Sequence, residues 1–471
     1  MTQIVLVILT LSLALLVGKV IVNMNIYFVI LISALLFTLF ASLRPNLTMF
    51  FILALSLFTG VVKVFLGVRE SPLILDAALI MVAFILIINH HILHYRSIGL
   101  PRLSKPILLI LIISLLQMFN PNIPDMQIAL EGFRQSAFYM IAFFIPYYLI
   151  REKRHIYWIM VMIVISSVVI GIYGIRQHYF PFQAELDWAN TMREHTFWGV
   201  SETERTLRVF STFNSLGAYW IFMPLAIVTN LALFFIAGKN VLKRLILVSL
   251  TIIVISTLFG LGRAAWISSV IGIMGLSLFL DKRERTKVLI VSTVILFGGV
   301  LFTKIIPGTE LIGMRVKTLV NPQEDYNIMF RFAIMKDAIE WILENPFGRG
   351  VGMTSSGIIT RYGTPNIAGH NQFLDVAIEL GVLSMFVYIY IVVIAIWIGI
   401  KTARESSDNF IRITAAWLLS YNLAFHAIGM QGQVFGFPQS LYYWFLLGLL
   451  VNLRDIEKRA LGASWPAFEK M

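Results

Sequence analysis

The chain has 471 residues, 58% of them hydrophobic and only 13% charged, with a mean hydropathy of +0.83. A soluble chain carries about a quarter charged residues, so this composition excludes a soluble globular protein and points to repeated passage through a bilayer. The net charge of +12 reads as the Lys and Arg excess of cytoplasmic loops rather than as a footprint for nucleic acid, and the absence of cysteine excludes disulfides, thiolate catalysis and Cys-ligated metal.

A span takes about 20 apolar residues. On that scale the chain opens with spans at 2–20, 25–43, 48–66 and 72–90, the first too plain at its start for a cleaved signal peptide. Spans follow at 106–119, 137–150, 156–174, 212–236, 244–259, 263–280 and 288–303, and the last three fall at 377–400, 410–428 and 439–453. The expected architecture is all-α: a polytopic integral membrane helical bundle of about 12–14 spans. The short breaks at 90–105, 151–155, 238–244, 281–287 and 401–409, and the tail from Arg454, are rich in Lys and Arg. An alternating path with both termini in the cytoplasm puts all of them on one side.

Two large loops, 175–211 and 304–375, then lie outside. External segments hold ten arginines against three lysines. Guanidinium is the planar, permanently charged partner of phosphate oxygens, so the bias favours an anionic ligand; the alternative is that these arginines pair with the acids of the same loops. In the second loop Ile328, Phe332, Met335, Ile339 and Ile342 recur at helical spacing, with Arg331, Lys336, Asp337, Glu340 and Glu344 on other faces. That pattern predicts an amphipathic helix on the membrane or on the spans beneath it, ended by Pro346. The glycines of the following Asn345-Pro346-Phe347-Gly348-Arg349-Gly350-Val351-Gly352 predict a turn open to a ligand.

Arg263 is the single charge between Leu245 and Leu280, set in Gly260-Leu261-Gly262-Arg263. Such a residue is either functional or an ordinary hairpin arginine reaching the surface. Arg208 meets the next span at the interface, as a phosphate ligand or as a plain anchor. His370 stands before a span in which Asn371, Asp375 and Glu379 follow at i, i+4 and i+8, one polar stripe. It is suited to act as a general base; the alternative is an interfacial histidine beside a helix cap. No phosphate-binding Gly-rich loop, His-Glu-x-x-His or Asp-x-Asp occurs, which disfavours an ATP-driven pump or a nucleotide-sugar transferase.

Three ordered motifs resemble the bacterial O-antigen ligase and O-antigen polymerase superfamily of polytopic glycosyltransferases. They are Arg208 with Ser211-Thr212-Phe213-Asn214 and Gly217-Ala218-Tyr219; Gly262-Arg263 with Trp266; and a long loop carrying Arg331, Trp341, Asn345-Pro346-Phe347-Gly348, then His370-Asn371-Gln372-Phe373-Leu374 and Glu379-Leu380-Gly381. The resemblance divides the chain into an N-terminal transmembrane bundle (1–200), an O-antigen ligase-like membrane domain (201–453) and a cytoplasmic tail (454–471). It implies a bacterial inner-membrane enzyme, free of metal and cofactor, that inverts the anomeric centre on the periplasmic face. The donor would be a glycan on undecaprenyl pyrophosphate; the acceptor would be a saccharide or lipid A-core hydroxyl. Carried over by motif, Arg263 and His370 would be catalytic, and Arg208, Arg331, Asn371 and Glu379 would bind substrate. A rival is a transporter or flippase for lipid-linked saccharide, which inverted repeats and ionisable groups spread over many spans would favour; neither is visible. A non-enzymatic membrane scaffold is the third reading.

Overall fold

The computed structural model describes residues 43–67, 71–88, 100–191, 197–200, 205–288, 310–320, 326–355 and 367–460, with isolated positions 40, 290, 292, 293, 358, 362 and 363. The expected spans 2–20, nearly all of 25–43 and most of 288–303 lie outside them, as do residues 461–471. Helices dominate: α1 (Pro45–Ser56), α2 (Thr59–Leu66), α3 (Ser71–Ile87), α4 (Ser104–Gln117), α5 (Met126–Ser136) and α6 (Ile145–Leu149) lead to α7 (Lys153–Tyr179) and α8 (Gln183–Thr191). After a short antiparallel ribbon, β1 (Trp198–Val200) and β2 (Arg205–Leu207), come α9 (Leu216–Ile236), α10 (Asn240–Phe259) and α11 (Arg263–Ser277). The second loop carries α12 (Glu310–Val320), α13 (Tyr326–Glu344) and α14 (Gln372–Leu380), and the chain closes with α15 (Val382–Glu405), α16 (Asn409–Gly429) and α17 (Gln439–Ala460).

Among the described residues five helical segments are long and apolar enough to cross a bilayer, and α1 with α2, bent by 48°, makes a sixth. The fold is an all-α polytopic membrane bundle. Apolar residues such as Leu116, Ile165, Ile172 and Phe386 are more than half exposed, which in a bilayer is a lipid-facing surface. Polar side chains join helices inside it: the Trp417 indole donates to Thr229 Oγ1 at 2.8 Å, and Asn452 Nδ2 donates to the carbonyls of Pro146 and Ile150 at 3.0 and 2.9 Å.

Several expected spans have different bounds in the structure. The span at 137–150 starts at Met126, where Asp125 caps the helix by accepting from Gln127 N at 2.8 Å, and a 3₁₀ turn at Phe138–Phe143 lies inside it. The one at 156–174 runs from Lys153 to Tyr179, about 40 Å at 1.5 Å per residue. The one at 48–66 is broken after Ser56 because another segment enters there. Thr212 Oγ1 donates to the Leu57 carbonyl at 2.8 Å, and Gly60 lies directly on the backbone of Thr212–Asn214. The span at 377–400 starts at Val382 because Gly381, at φ +90°, breaks the chain direction after α14.

The turn at Gly348–Gly352 corrects a second expectation. Gly348, Gly350 and Gly352 have φ of +93°, +104° and +86°, but they admit protein rather than a ligand. A Cβ on Gly348 would lie 2.6 Å from the Glu379 carbonyl, and one on Gly352 would lie 2.8 Å from the Gly132 Cα. Arg349 N donates to Ile378 O at 2.7 Å and Gln117 Nε2 donates to Phe347 O at 2.5 Å, so the turn bolts α14 to α4. Gly348→Ala is expected to lower stability by about 2 kcal/mol or more, from αL strain plus overpacking against backbone. A melting temperature in detergent equal to wild type would refute this.

The predicted amphipathic helix exists as α13. Its inner face is Ala338, Trp341 and Ile342 against α14, whereas Phe332, Ile339 and Leu343 are about half exposed or more, so the expected single apolar face is two faces. The helix α12 and the ribbon β1–β2 were not expected.

The Lys- and Arg-rich breaks gather at one end of the bundle. Lys153 pairs with Asp408, Arg412 with Asp281 at 3.9 Å and Arg454 with Glu405 at 2.5 Å. At the other end His178, near the close of α7, stacks on Phe259 with ring centroids 4.0 Å apart.

Candidate active site

The segment leading out of β2 is threaded between helices, and its backbone is satisfied by buried side chains. Arg208 N donates to Phe197 O at 2.8 Å. Phe210 N and Ser211 N both donate to Gln177 Oε1 of α7, at 3.0 and 2.8 Å, and Ser211 Oγ donates to Ile170 O at 2.6 Å. With Thr212 anchored on Leu57, the Ser-Thr-Phe motif fixes where Arg208 emerges. Sequence reading had singled out the motif without this reason for it.

The turn Gly260–Gly262 meets Arg208 across one side chain, Trp220. The indole donates to Gly260 O at 3.0 Å, the Arg208 guanidinium lies 4.8 Å from its ring centroid, and a Cβ on Gly262 would come within 2.5 Å of it. Arg208 Nη2 also reaches Leu261 O at 3.4 Å. Glycine is therefore required at 262 for the indole to pack on the backbone. Arg263 follows as the first residue of α11, so its position is set by the same turn. Trp220 was missed; its place directly after Gly217-Ala218-Tyr219 was the available signal.

Charge is concentrated here. Arg208 is mostly buried, and its pKa is pushed down, first by burial and then by the repulsion of Arg315, Arg263 and Arg331 in that order. Four guanidiniums from four separate segments are thus electrostatically one cluster. Three of them were singled out from the sequence. Arg315, on α12, had been counted only among the external arginines. Two other external arginines are structural: Arg176 grips Glu185 with both guanidinium branches at 2.6 Å, and Arg134 holds Asp76 at 2.5 Å.

His370 joins this cluster. Its pKa is lowered from the ordinary 6.5, by burial and then by the positive charge of Arg331, so the imidazole is neutral at pH 7 and can accept a proton. It sits at φ +47°, in a region that costs a β-carbon-bearing residue strain. Among the described residues four non-glycine positions have positive φ, and three of them are Ser211, Leu261 and His370, one in each motif. Strain at such points needs a rigid surround.

That surround is the rest of the His-Asn-Gln motif. Gly369 N donates to Asp375 Oδ1 at 2.7 Å, Asn371 Oδ1 caps α14 by accepting from Phe373 N at 2.9 Å, and Gln372 Oε1 accepts from Val434 N and Phe435 N at 2.9 and 3.2 Å. Glu379 is fully enclosed and accepts from the Thr354 hydroxyl and backbone at 2.6 and 3.0 Å. The expected stripe of Asn371, Asp375 and Glu379 is real, but Asn371 and Asp375 hold the turn on which His370 stands and Glu379 holds Thr354. Asn371 and Glu379 are committed to protein partners in this structure.

Burial pushes the Asp375 carboxyl up to about 8, aided by the charge of Glu379 and opposed by the Gly369 bond. A carboxyl raised from 3.8 in the unfolded chain favours the fold when neutral. Its contribution is complete below about pH 4 and is lost as pH rises through about 8. Asp375→Asn keeps the Gly369 bond and does not titrate. Its melting temperature is expected to fall less than that of wild type between pH 5 and pH 9, and parallel curves would refute the assignment.

A helical membrane bundle that gathers four guanidiniums beside a neutral histidine at one end is built to handle an anion next to a nucleophile. Residues 245–389 match the family model described as O-Antigen ligase, a stretch that holds Arg263, Arg315, Arg331 and His370. That match covers about a third of the chain and supports a multi-pass membrane enzyme that processes glycan, similar to the O-antigen ligases. No curated protein matches the chain. Among the described residues no three His, Asp or Glu side chains converge on a point where a metal could be held.

Proposed function

We propose that the protein transfers a glycan from an undecaprenyl-pyrophosphate donor to a sugar hydroxyl at the external, periplasmic face of the bacterial inner membrane, by inversion and without metal. The observation that carries this reading is the coupling of Arg208, Arg263, Arg315 and Arg331 into one cationic cluster beside His370. The acceptor oxygen forms a bond to the anomeric carbon while the bond from that carbon to the pyrophosphate oxygen breaks. The electron pair leaves with the pyrophosphate, whose growing charge the guanidiniums stabilise, and the hydroxyl proton passes to a ring nitrogen of His370. Pyrophosphate is already a good leaving group, so positioning and charge stabilisation suffice. Asn371 and Asp375 act as positioning residues under His370.

Cells deleted for the gene and complemented with wild type, Arg263→Ala or His370→Ala test the reading, with the carrier-linked glycan and the surface polysaccharide resolved on a gel. Single repeats accumulating on the carrier mean polymerase; long chains stranded on it mean ligase to a lipid A-core acceptor. Donor glycan confined to the cytoplasmic leaflet would favour a flippase. Unchanged pools in both variants would overturn an enzymatic role for this site.

A further inference from the structure

The end of the bundle opposite the arginine cluster, about 40 Å away along α7, has a second cationic site that the glycan chemistry does not use. A cavity of about 220 Å³ lies where the start of α4 meets the ends of α15 and α17. Four cations line it, Arg102, Lys401, Arg454 and Lys458, against one acid, Asp455. Arg454 is held in place by Glu405 at 2.5 Å and by the Lys401 carbonyl at 3.1 Å. Among the described residues, Arg102, Lys401 and Lys458 have no acid within ion-pair distance. With Asp455 in the lining and Glu405 beside Arg454 and Lys401, the four cations still outnumber the acids, so an anion placed among them relieves their repulsion.

The cavity is not isolated from the bilayer. Leu383, Phe386, Tyr390, Val393 and Trp397 recur at spacings of three and four along α15, and all are about half exposed or more. This apolar stripe runs the length of the span and ends at Trp397, whose ring lies 5.0 Å from Lys401 Nζ. The antiparallel neighbour α4 presents Leu109, Ile112 and Leu116 outward as well. An acyl chain lying on this face brings a phosphate at its head to the mouth of the cavity, with Trp397 at the interface.

We propose that this cavity and the α4–α15 face bind an anionic phospholipid of the adjacent leaflet, its phosphate among Arg102, Lys401 and Lys458 and its chains along the Leu383–Trp397 stripe. Each such cation contributes at a membrane surface, so removing all three weakens binding roughly 10²-fold.

Native mass spectrometry of the full-length protein in detergent tests this, titrating phosphatidylglycerol, phosphatidylcholine with the same chains, and inorganic phosphate. One saturable phosphatidylglycerol is expected, which phosphatidylcholine does not match. Binding should fall about 10²-fold in Arg102→Ala/Lys401→Ala/Lys458→Ala and persist in the charge-conserving Arg102→Lys/Lys401→Arg/Lys458→Arg. If the triple alanine variant does not fold, wild type still decides: raising salt from about 0.05 to about 0.5 M should weaken phosphatidylglycerol and leave phosphatidylcholine unchanged. Equal retention of the two lipids, no loss in the folded alanine variant, or no salt effect would overturn the proposal. Displacement of the lipid by inorganic phosphate at the lipid's own concentration would also overturn it, since the acyl chains would then contribute nothing.

Discussion

Arg263→Ala is expected to lower glycan transfer by about 10²–10³-fold with purified protein and lipid-linked donor, the range seen when one preorganised transition-state donor is removed. Arg263 is placed by a turn with no slack, since Gly262 is pressed on Trp220 and Trp220 is hydrogen-bonded to Gly260. Its backbone is therefore held in position before substrate arrives. The loss should fall mainly on turnover if the charge it meets grows as the pyrophosphate leaves, and mainly on donor affinity if it grips the ground state equally. Arg315→Ala should behave in the same way, because Arg315 is the strongest of the three charges acting on Arg208. Lysine at 263 should recover only part of the rate, lacking the two-pronged fit to phosphate oxygens. Wild-type transfer by correctly inserted Arg263→Ala would remove the cluster from the mechanism.

What was legible in the sequence was whatever a bilayer enforces. Apolar length marks the spans and Lys/Arg placement sorts their ends; the contacts of Lys153 with Asp408 and of Arg454 with Glu405 gather those ends as the charges foretold. Arg263 stood out because a lone charge amid 35 uncharged neighbours, most of them apolar, is costly. Helix breaks were not legible, because they depend on distant partners. Nothing around Leu57 says that Thr212 will take its carbonyl, and nothing near Gly348 says that Glu379 and Gly381 will press on it.

The same limit explains the site residues. Arg208, Arg263 and Arg331 carry motif context, whereas Arg315 sits in a short helix whose only signal is an arginine among apolar neighbours. For the stripe below His370, periodicity correctly placed Asn371, Asp375 and Glu379 on one face. It could not say whether that face meets substrate or protein. The deciding partners, Gly369 and Thr354, come from the irregular chain just before α14 and from the glycine turn.

The pH dependence of transfer separates the histidine from the arginines. With His370 held below its ordinary value, kcat/KM for the acceptor should stay level through neutrality and fall only below pH 6.5, where the imidazole gains a proton and can no longer accept one. Arg208 keeps its guanidinium charged across this range, so donor capture should show no alkaline fall of its own. Two variants test this. His370→Gln should lose about 10²–10⁴-fold in rate and the acid limb with it. Arg208→Lys should keep the acid limb and add an alkaline fall. An ammonium starts from a lower value than a guanidinium and, under the same burial and repulsion, gives up its proton sooner. If His370→Gln keeps an acid limb at the wild-type position, the base is another group. If Arg208→Lys shows no alkaline fall, residue 208 does not carry the charge that donor capture needs.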